Sequence, residues 1–345
     1  MDNLVILGSG RENSSLDSYS YEFSEASGFY RIMLLLDRNQ LNSNYRGNPA
    51  VYKGKFPKYA GAGWAYNIKF GRHIFKDLEK LVGNSVIHYT TFGLPILSSN
   101  PRDIVTIHDL FFLNENDESY RKNFNVSKKF VERFKKFNNI VAPSYYVKKE
   151  LENFGFNGDI SVIYIPVPDE IQHLKDKAGL RKKLNLPENK KLVLSVSSNL
   201  KRKNLPVIEK TMELLGNDFR LVRVGPPIRD SINFNSLSSE ELSEVYNACD
   251  VLLFPTLMEG FGKPVIEAFK AGTPVVASNI EVMEEVAGDA ALLVNPDACS
   301  CARGIKDVLD DYEFFIKKGF ERAEFYSKEK FRNNVRQYYG TVLKK

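Results

Sequence analysis

Two glutamates and a run of cations carry the chemistry that can be read from this chain. Glu259 and Glu267 have seven residues between them, in the segment Glu259-Gly260-Phe261-Gly262-Lys263-Pro264-Val265-Ile266-Glu267. A second segment, Ser197-Ser198-Asn199-Leu200-Lys201-Arg202-Lys203-Asn204, holds three cations in a row. A carboxylate suits a ribose or another sugar because it accepts from two hydroxyls at once. Consecutive cations suit a phosphate group. Glycines at 260 and 262 let the backbone approach a ligand closely, and a helix beginning at Pro264 turns its positive end towards an anion. Each feature alone also fits something plainer. The glycine loop can be a turn into a helix with Glu267 solvated, and the charge run can be a solvated loop.

Periodicity gives the elements that must position these groups. Short β-branched runs alternate with longer amphipathic stretches, the pattern of parallel sheets with crossover helices. In the first half strands are expected at Leu4–Leu7, Val86–His88, Ile104–His108, Ile140–Ala142 and Val162–Ile165, with helices at Tyr66–Val82, Val126–Phe137 and Tyr146–Phe154. In the second half strands are expected at Leu192–Val196, Leu221–Val224, Val251–Phe254, Pro274–Ala277 and Leu292–Val294. Helices between them are expected at Leu205–Leu215, Glu240–Ala248 and Pro264–Ala271, the second opened by a Ser238/Glu241 capping box. Both chemical segments therefore follow parallel strands, at the carboxyl ends where open α/β sheets bind ligands. Ile165-Pro166-Val167-Pro168-Asp169 is stiff and extended and marks a domain break. The expected fold is α/β: two doubly wound, Rossmann-like domains facing across a cleft. Residues 1–167 are expected to form the first domain and residues 168–327 the second, with a last helix, about 328–345, packing back on the first.

The stretch Glu259 to Ala268 resembles the paired-glutamate motif of the retaining glycosyltransferases of family 4, which have the GT-B fold. Gly272-Thr273-Pro274-Val275-Val276-Ala277-Ser278-Asn279 and Glu285-Val286-Ala287-Gly288-Asp289-Ala290-Ala291-Leu292-Leu293-Val294-Asn295-Pro296 look like the same family. The resemblance implies that Glu267 holds the donor ribose. It implies that Glu259 and the amides of Gly260, Phe261 and Gly262 hold the transferred sugar. Lys203 matches the family's diphosphate lysine and Arg202 precedes it. Ser197-Ser198 departs from the pattern, since many members carry Gly-Arg there; Ser198 then lines the donor site and Arg202 takes over the arginine's role. Gly225, after the strand Leu221–Val224, resembles a turn near the donor and fits a plain tight turn nearly as well. Val265 lies at the helix end that faces the leaving phosphate.

On the other domain, Val105-Thr106-Ile107-His108-Asp109-Leu110 is similar to the His-Asp segment of mannosyltransferase-like members. The resemblance implies that His108 contacts the donor sugar and that Asp109 orients it or touches the acceptor. His88, in Val86-Ile87-His88-Tyr89, is a weaker candidate, and His73 and His173 have no partner in view. Gly8-Ser9-Gly10 and Ser27-Gly28-Phe29-Tyr30-Arg31 are candidate linings. The basic stretch Tyr120 to Lys136 reads either as a helix with a solvated basic face or as a docking surface for anionic membrane.

Composition narrows the classes. The chain has 345 residues, 43% hydrophobic and 26% charged, enough for two globular domains. The longest apolar runs are strand-length, so no membrane span is expected. No basic-then-apolar leader opens the chain, which sets a cytoplasmic expectation, peripheral at the membrane if the basic stretch docks. Three cysteines form no disulfide framework and no zinc spacing. A net charge of +5 fits anionic small molecules or a membrane surface better than nucleic acid, for which no motif is present.

The expected function is retaining, metal-independent transfer of a hexose, mannose slightly favoured, from a nucleotide-diphosphate sugar to a glycan or lipid-linked acceptor in glycan biosynthesis. No cofactor and no metal are expected. Arg202, Lys203 and the helix end stabilise the leaving diphosphate, and domain closure excludes water. Two other readings stay open: a sugar-nucleotide epimerase on the same fold, which needs no acceptor, and a non-catalytic protein that binds sugar nucleotides or a membrane surface.

Overall fold

The computed structural model describes residues 4–8, 15–35, 50–53, 83–91, 100–113 and 132–344. They fall into two units. The first holds the described residues up to Tyr164 and those from Glu329 onward; the second runs Ile165–Lys328. Each is built on one sheet whose strands all pair in parallel.

The first sheet has seven strands: β1 (Leu4–Gly8), β2 (Tyr30–Leu35), β3 (Ala50–Lys53), β4 (Val86–Tyr89), β5 (Ile104–Thr106), β6 (Asn139–Ala142) and β7 (Asp159–Val162). Their spatial order is β3-β2-β1-β4-β5-β6-β7. Parallel sheets are covered on both faces, so their strands read as apolar runs, and β1 and β4 are buried throughout. Among the described residues up to Tyr164, this unit carries the helices α1 (Ser15–Ser27) and α2 (Tyr145–Asn153). Phe23 and Ala26 of α1 are fully buried and Tyr19 nearly so, a four-then-three spacing that puts one face on the sheet.

The second unit carries α3 (Lys177–Lys183), β8 (Lys191–Val196), α4 (Leu205–Leu215), β9 (Phe219–Val224), β10 (Ile232–Phe234), α5 (Ser239–Ala248), β11 (Val251–Phe254), α6 (Lys263–Ala271), β12 (Val275–Ser278), α7 (Glu281–Ala287), β13 (Leu292–Val294), α8 (Ala298–Asp310) and α9 (Tyr312–Ala323). The sheet order is β10-β9-β8-β11-β12-β13. The chain winds outward from β8 to β10, returns, and continues from β11 on the other side. β8 and β11 therefore flank the point where the order reverses, the place where loops part and a ligand fits. Val251 pairs with Val193 and Leu252 with Leu194 across that point. Val193, Leu221, Val251, Leu253 and Val276 from the sheet pack with Ile208 of α4 and Cys301, Ile305 and Val308 of α8 in one buried cluster.

The capping box opens α5 as expected: Ser238 Oγ accepts from the Glu241 amide at 3.2 Å, and the Glu241 carboxylate accepts from the Ser238 amide at 2.7 Å. Two expected strands are corrected. The strand expected to run to His108 ends at Thr106, because beyond Ile107 the chain leaves the sheet and His108 turns its ring back to β4. The strand expected at Val162–Ile165 is Asp159–Val162; the run into Pro166 is extended but leaves the ladder after Ile163, whose amide still reaches the Ala142 carbonyl at 3.0 Å. Of the helix expected at Val126–Phe137, the described residues are Glu132, still α-helical, and a closing 3-10 turn, Arg133–Lys136, which ends at the extended backbone of Phe137. The helix expected at 66–82, Ser9, Gly10, His73 and residues 120–131 lie outside the described residues. After the second unit the chain returns to the first as α10 (Lys328–Val342), with Phe331 packed edge-on to Phe23 and Tyr339 close by.

Candidate active site

The loops after β8 and β11 meet. Lys203 Nζ is ion-paired and hydrogen-bonded to Glu259 Oε1, and Arg202 Nη1 lies 3.6 Å from Glu259 Oε2. Arg202 Nη1 also donates to the Met258 carbonyl at 3.3 Å. Thr256 Oγ1 is within 3.2 Å of Glu259 Oε1, and the Leu257 amide donates to the Arg202 carbonyl at 2.7 Å. The two loops are thus joined through backbone as well as charge. Lys203 also stands 5.5 Å above the Phe254 ring.

Local sequence explains how each group is held. Lys201–Lys203 form one 3-10 turn, and Asn204, at φ 56°, swings the chain into α4 while its side-chain amide donates to the Pro296 carbonyl at 3.0 Å. Gly262, at φ 98°, is the residue before α6, and a Cβ there would lie 2.5 Å from Met283 Cε. The left-handed backbone there favours glycine, and a side chain would also have to displace the Met283 methyl. Lys263 opens the helix and Pro264 follows at the second position. The Val265 amide is taken by the Gly262 carbonyl at 2.9 Å. Pro264 has no N–H, so this helix end contributes its dipole rather than the amides of those two residues. Gly260 and Phe261 are buried, with the Phe261 ring 5.5 Å from Tyr326.

Glu267 lies inside α6, 4% exposed. Its Oε2 accepts from the Tyr246 hydroxyl at 2.9 Å, and its Oε1 is 3.3 Å from Lys263 Nζ one turn earlier. Burial, with the Glu267 charge beside it, pushes the Tyr246 hydroxyl well above its ordinary range, so it stays a donor. Lys263 was legible as an i, i+4 partner. Tyr246 was not, since it lies 21 residues away on another helix.

Ser198 is exposed, and its carbonyl accepts from Arg223 Nη2 at 3.3 Å. Gly225, at φ 132°, approaches Ser197 so closely that a Cβ would lie 2.2 Å from the Ser197 carbonyl oxygen. The structure thus brings Arg202, Lys203 and Glu259 into one cluster, and Ser198 and Gly225 into a second, joined by Arg223. Arg223 had drawn no attention in the sequence.

In the first unit His108 Nε2 is 2.9 Å from the Thr90 carbonyl, which only accepts, so Nε2 carries the hydrogen. Burial lowers the imidazole to about 4, against the partial support of that carbonyl. The ring is neutral near pH 7 and its Nδ1 is an acceptor. Tyr19 packs edge-on at 4.5 Å. The ring is held by Thr90 and Tyr19. The Asp109 carboxylate accepts from the Phe111 amide at 3.4 Å, opening the turn Phe111–Leu113.

His88 is fully buried, with Nδ1 2.6 Å from the Tyr339 hydroxyl and Nε2 2.8 Å from Thr106 Oγ1, and burial with the nearby His108 lowers it to about 3. It ties α10 to the sheet. His173, expected without a partner, has Nδ1 2.9 Å from the Ala271 carbonyl. Arg31 is buried and donates to Ser20 Oγ at 3.1 Å. Among the described residues no group of three or more His, Cys, Asp or Glu is placed to hold a metal, and no helix is long and apolar enough to cross a membrane.

Comparison with known proteins bears on the family and the fold. Residues 176–322 match the family model for glycosyl transferases group 1, and residues 35–171 that for glycosyltransferase family 4. The O-antigen chain mannosyltransferase RfbU of Salmonella typhimurium is 28% identical over 251 residues, 67% of this chain and 63% of that protein. The O-antigen chain mannosyltransferase B of Escherichia coli is 38% identical over 95 residues, 26% of this chain and 25% of that protein. The chain therefore spans less than two thirds of the length of these curated relatives. Among solved structures, sucrose-phosphate synthase from Thermosynechococcus elongatus superposes with a TM-score of 0.82 at 18% identity, over 99% of both chains. Anabaena HepE, solved in complex with UDP and glucose, gives 0.76 at 13% identity over 99% of this chain and 100% of that one. The two family models together take in most of the chain, and the paired glutamates and the Arg-Lys couple lie in the part matched by the first. The chain belongs to the group 1 glycosyltransferases and has their GT-B fold of two Rossmann-like units.

Proposed function

We propose that this chain transfers a hexose, with mannose first among the candidates, from a nucleotide-diphosphate donor to a glycan or lipid-linked acceptor. The observation that carries the reading is the meeting of Arg202, Lys203 and Glu259 at the carboxyl ends of β8 and β11. A diphosphate entering there exchanges with Glu259 for the two cations, and the freed carboxylate accepts from sugar hydroxyls. Glu267 accepts from the ribose, with Tyr246 fixing the carboxylate from behind. As the sugar departs, charge grows on the leaving phosphate, where Arg202, Lys203 and the dipole of α6 stabilise it without a metal ion. His108 offers Nδ1 to a sugar or acceptor hydroxyl, and Asp109 stands beside it on the acceptor side. We take the transfer to proceed with retention, as in the family resembled, and the basic stretch 120–136 to serve docking on an anionic membrane.

Mannosyltransferase names among the relatives favour GDP-mannose. Calorimetry with GDP, UDP and ADP tests the donor site, with one diphosphate expected to bind and Lys203→Met to weaken it. Incubation of the matching sugar nucleotide with and without an oligosaccharide acceptor tests transfer. Product from donor alone, as an epimer, would replace this reading with epimerisation. Absence of binding to any nucleoside diphosphate would remove it.

A further inference from the structure

Arg223, next to last in β9, has no solvent exposure, and every hydrogen bond it makes goes to a neutral oxygen. Nη1 donates to Ser195 Oγ at 2.9 Å and Ser197 Oγ at 3.1 Å. Nη2 donates to the Ser197 carbonyl at 2.8 Å and the Ser198 carbonyl at 3.3 Å, and Nε to the Pro226 carbonyl at 2.8 Å. No carboxylate of the described residues pairs with it. A guanidinium stays charged in a protein. Burying that charge without a counter-ion is costly, and the five hydrogen bonds recover only part of the lost hydration. Burial lowers its pKa, in keeping with that cost.

The five acceptors lie on β8 and on two turns, 197–198 after β8 and 225–226 after β9. Those turns touch where Gly225 leaves no room for a side chain against the Ser197 carbonyl. The chain runs from the first turn directly into Lys201–Lys203. Arg202 and Lys203 already share the Glu259 charge. The charge of Arg223 has no such partner.

We propose that Arg223 is a positioning residue of the donor site, fixing the turns at Ser198 and Gly225 and leaving behind them a positive charge that a bound diphosphate neutralises. This rests on the donor reading above and adds a cation that acts through the loop backbone. The test compares wild type, Arg223→Gln and Arg223→Lys by calorimetry with the nucleoside diphosphate that wild type binds, with inorganic pyrophosphate, and with the matching nucleoside by competition.

Arg223→Gln is expected to lose about 10- to 50-fold in affinity for the diphosphate and pyrophosphate and less than about 2-fold for the nucleoside. Its diphosphate affinity should also depend less on salt, because a charge has been removed. Arg223→Lys should keep the salt dependence and recover part of the affinity. A merely structural arginine would weaken all ligands alike, in step with melting temperature. An unchanged ratio of diphosphate to nucleoside affinity in folded Arg223→Gln overturns the proposal, whereas wild type that binds no nucleoside diphosphate overturns the donor reading itself. If Arg223→Gln does not fold, Ser197→Ala, which removes one acceptor and keeps the arginine, is read in the same assay. A diphosphate-selective loss of about 3- to 10-fold supports the proposal and an unchanged ratio refutes it.

Discussion

One carboxylate with two cations occurs at each end of the strand pair β8–β11, and the two clusters behave differently. At the amino end, Asp250 accepts from Arg181 at 2.6 Å, Lys177 at 3.2 Å and the Leu192 amide at 2.7 Å. Arg181 is fixed in turn by the carbonyls of Ala248 at 2.9 Å and Lys190 at 3.2 Å. At the carboxyl end, Glu259 is met by Lys203, Arg202 and the Thr256 hydroxyl, all side chains on loops. Side-chain exposure is 10% for both carboxylates, so neither burial nor charge tells them apart. The first cluster is sewn into the backbone that starts two strands, since Asp250 accepts from the Leu192 amide and Arg181 donates to the Ala248 and Lys190 carbonyls. In the second, an arriving anion can take over the cations while the strands stay intact.

That contrast can be broken by substitution. Asp250→Asn should cost most, about 4 kcal/mol of stability, because it leaves Arg181 buried without its counter-charge. Urea unfolding measures that loss, and calorimetry on the folded protein should show nucleotide affinity unchanged. Acid comes next, through the neutral histidines of the first unit. His88 and His108 are held at about 3 and about 4 in the folded chain, against an ordinary value of 6.5. Below pH 6.5 the unfolded chain takes up protons that the folded one refuses, so stability falls as pH falls, and continues to fall until the folded values are reached. Between pH 7.5 and 5.5 each histidine contributes about 1.4 kcal/mol, so the two together account for up to ~3 kcal/mol. A urea midpoint that stays flat over that range would refute the depressed values.

Lys203→Met ranks third. It should weaken diphosphate binding by about 2 kcal/mol, yet lower stability far less than Asp250→Asn, since Arg202 and Thr256 still hold Glu259. If it instead unfolds the protein while leaving binding intact, the carboxyl-end cluster is structural and the contrast fails. The smallest effect is expected of His108→Gln, about 1 kcal/mol on transfer measured as kcat/KM, with nucleoside diphosphate affinity unmoved.

Five of the six strands of the second sheet were legible, β11 most plainly because Val251–Phe254 is an unbroken apolar run between Asp250 and Pro255, whereas β10 (Ile232–Phe234) was not expected. β2 was not legible either, because Arg31 sits inside it and only the fold reveals the Ser20 hydroxyl that accepts its hydrogen bond. α1 hid behind five serines, although Tyr19, Phe23 and Ala26 kept a helical spacing. The same divide runs through the site. Glu259 and Glu267 were found from local spacing, whereas the groups that set their geometry come from elsewhere in the sequence. Tyr246 belongs to another helix, and Arg223 meets its serines only when β8 and β9 pair, with Ser195 opposite Arg223. Side chains whose partners lie on a neighbouring strand leave no trace in a linear pattern.

The last helix has a consequence for how the chain is made. His88 and Tyr339, in hydrogen bond within the first unit, are 251 residues apart, and the run Ile165–Lys328 of the second unit lies between them in the chain. A ribosome releases the apolar surface around Phe23 and His88 long before α10 exists to cover it, so the second unit can fold during synthesis whereas the first must wait for the final residues. Chains stopped at Ser327 should bind chaperone or aggregate through that face while still showing the cooperative unfolding of the completed second unit.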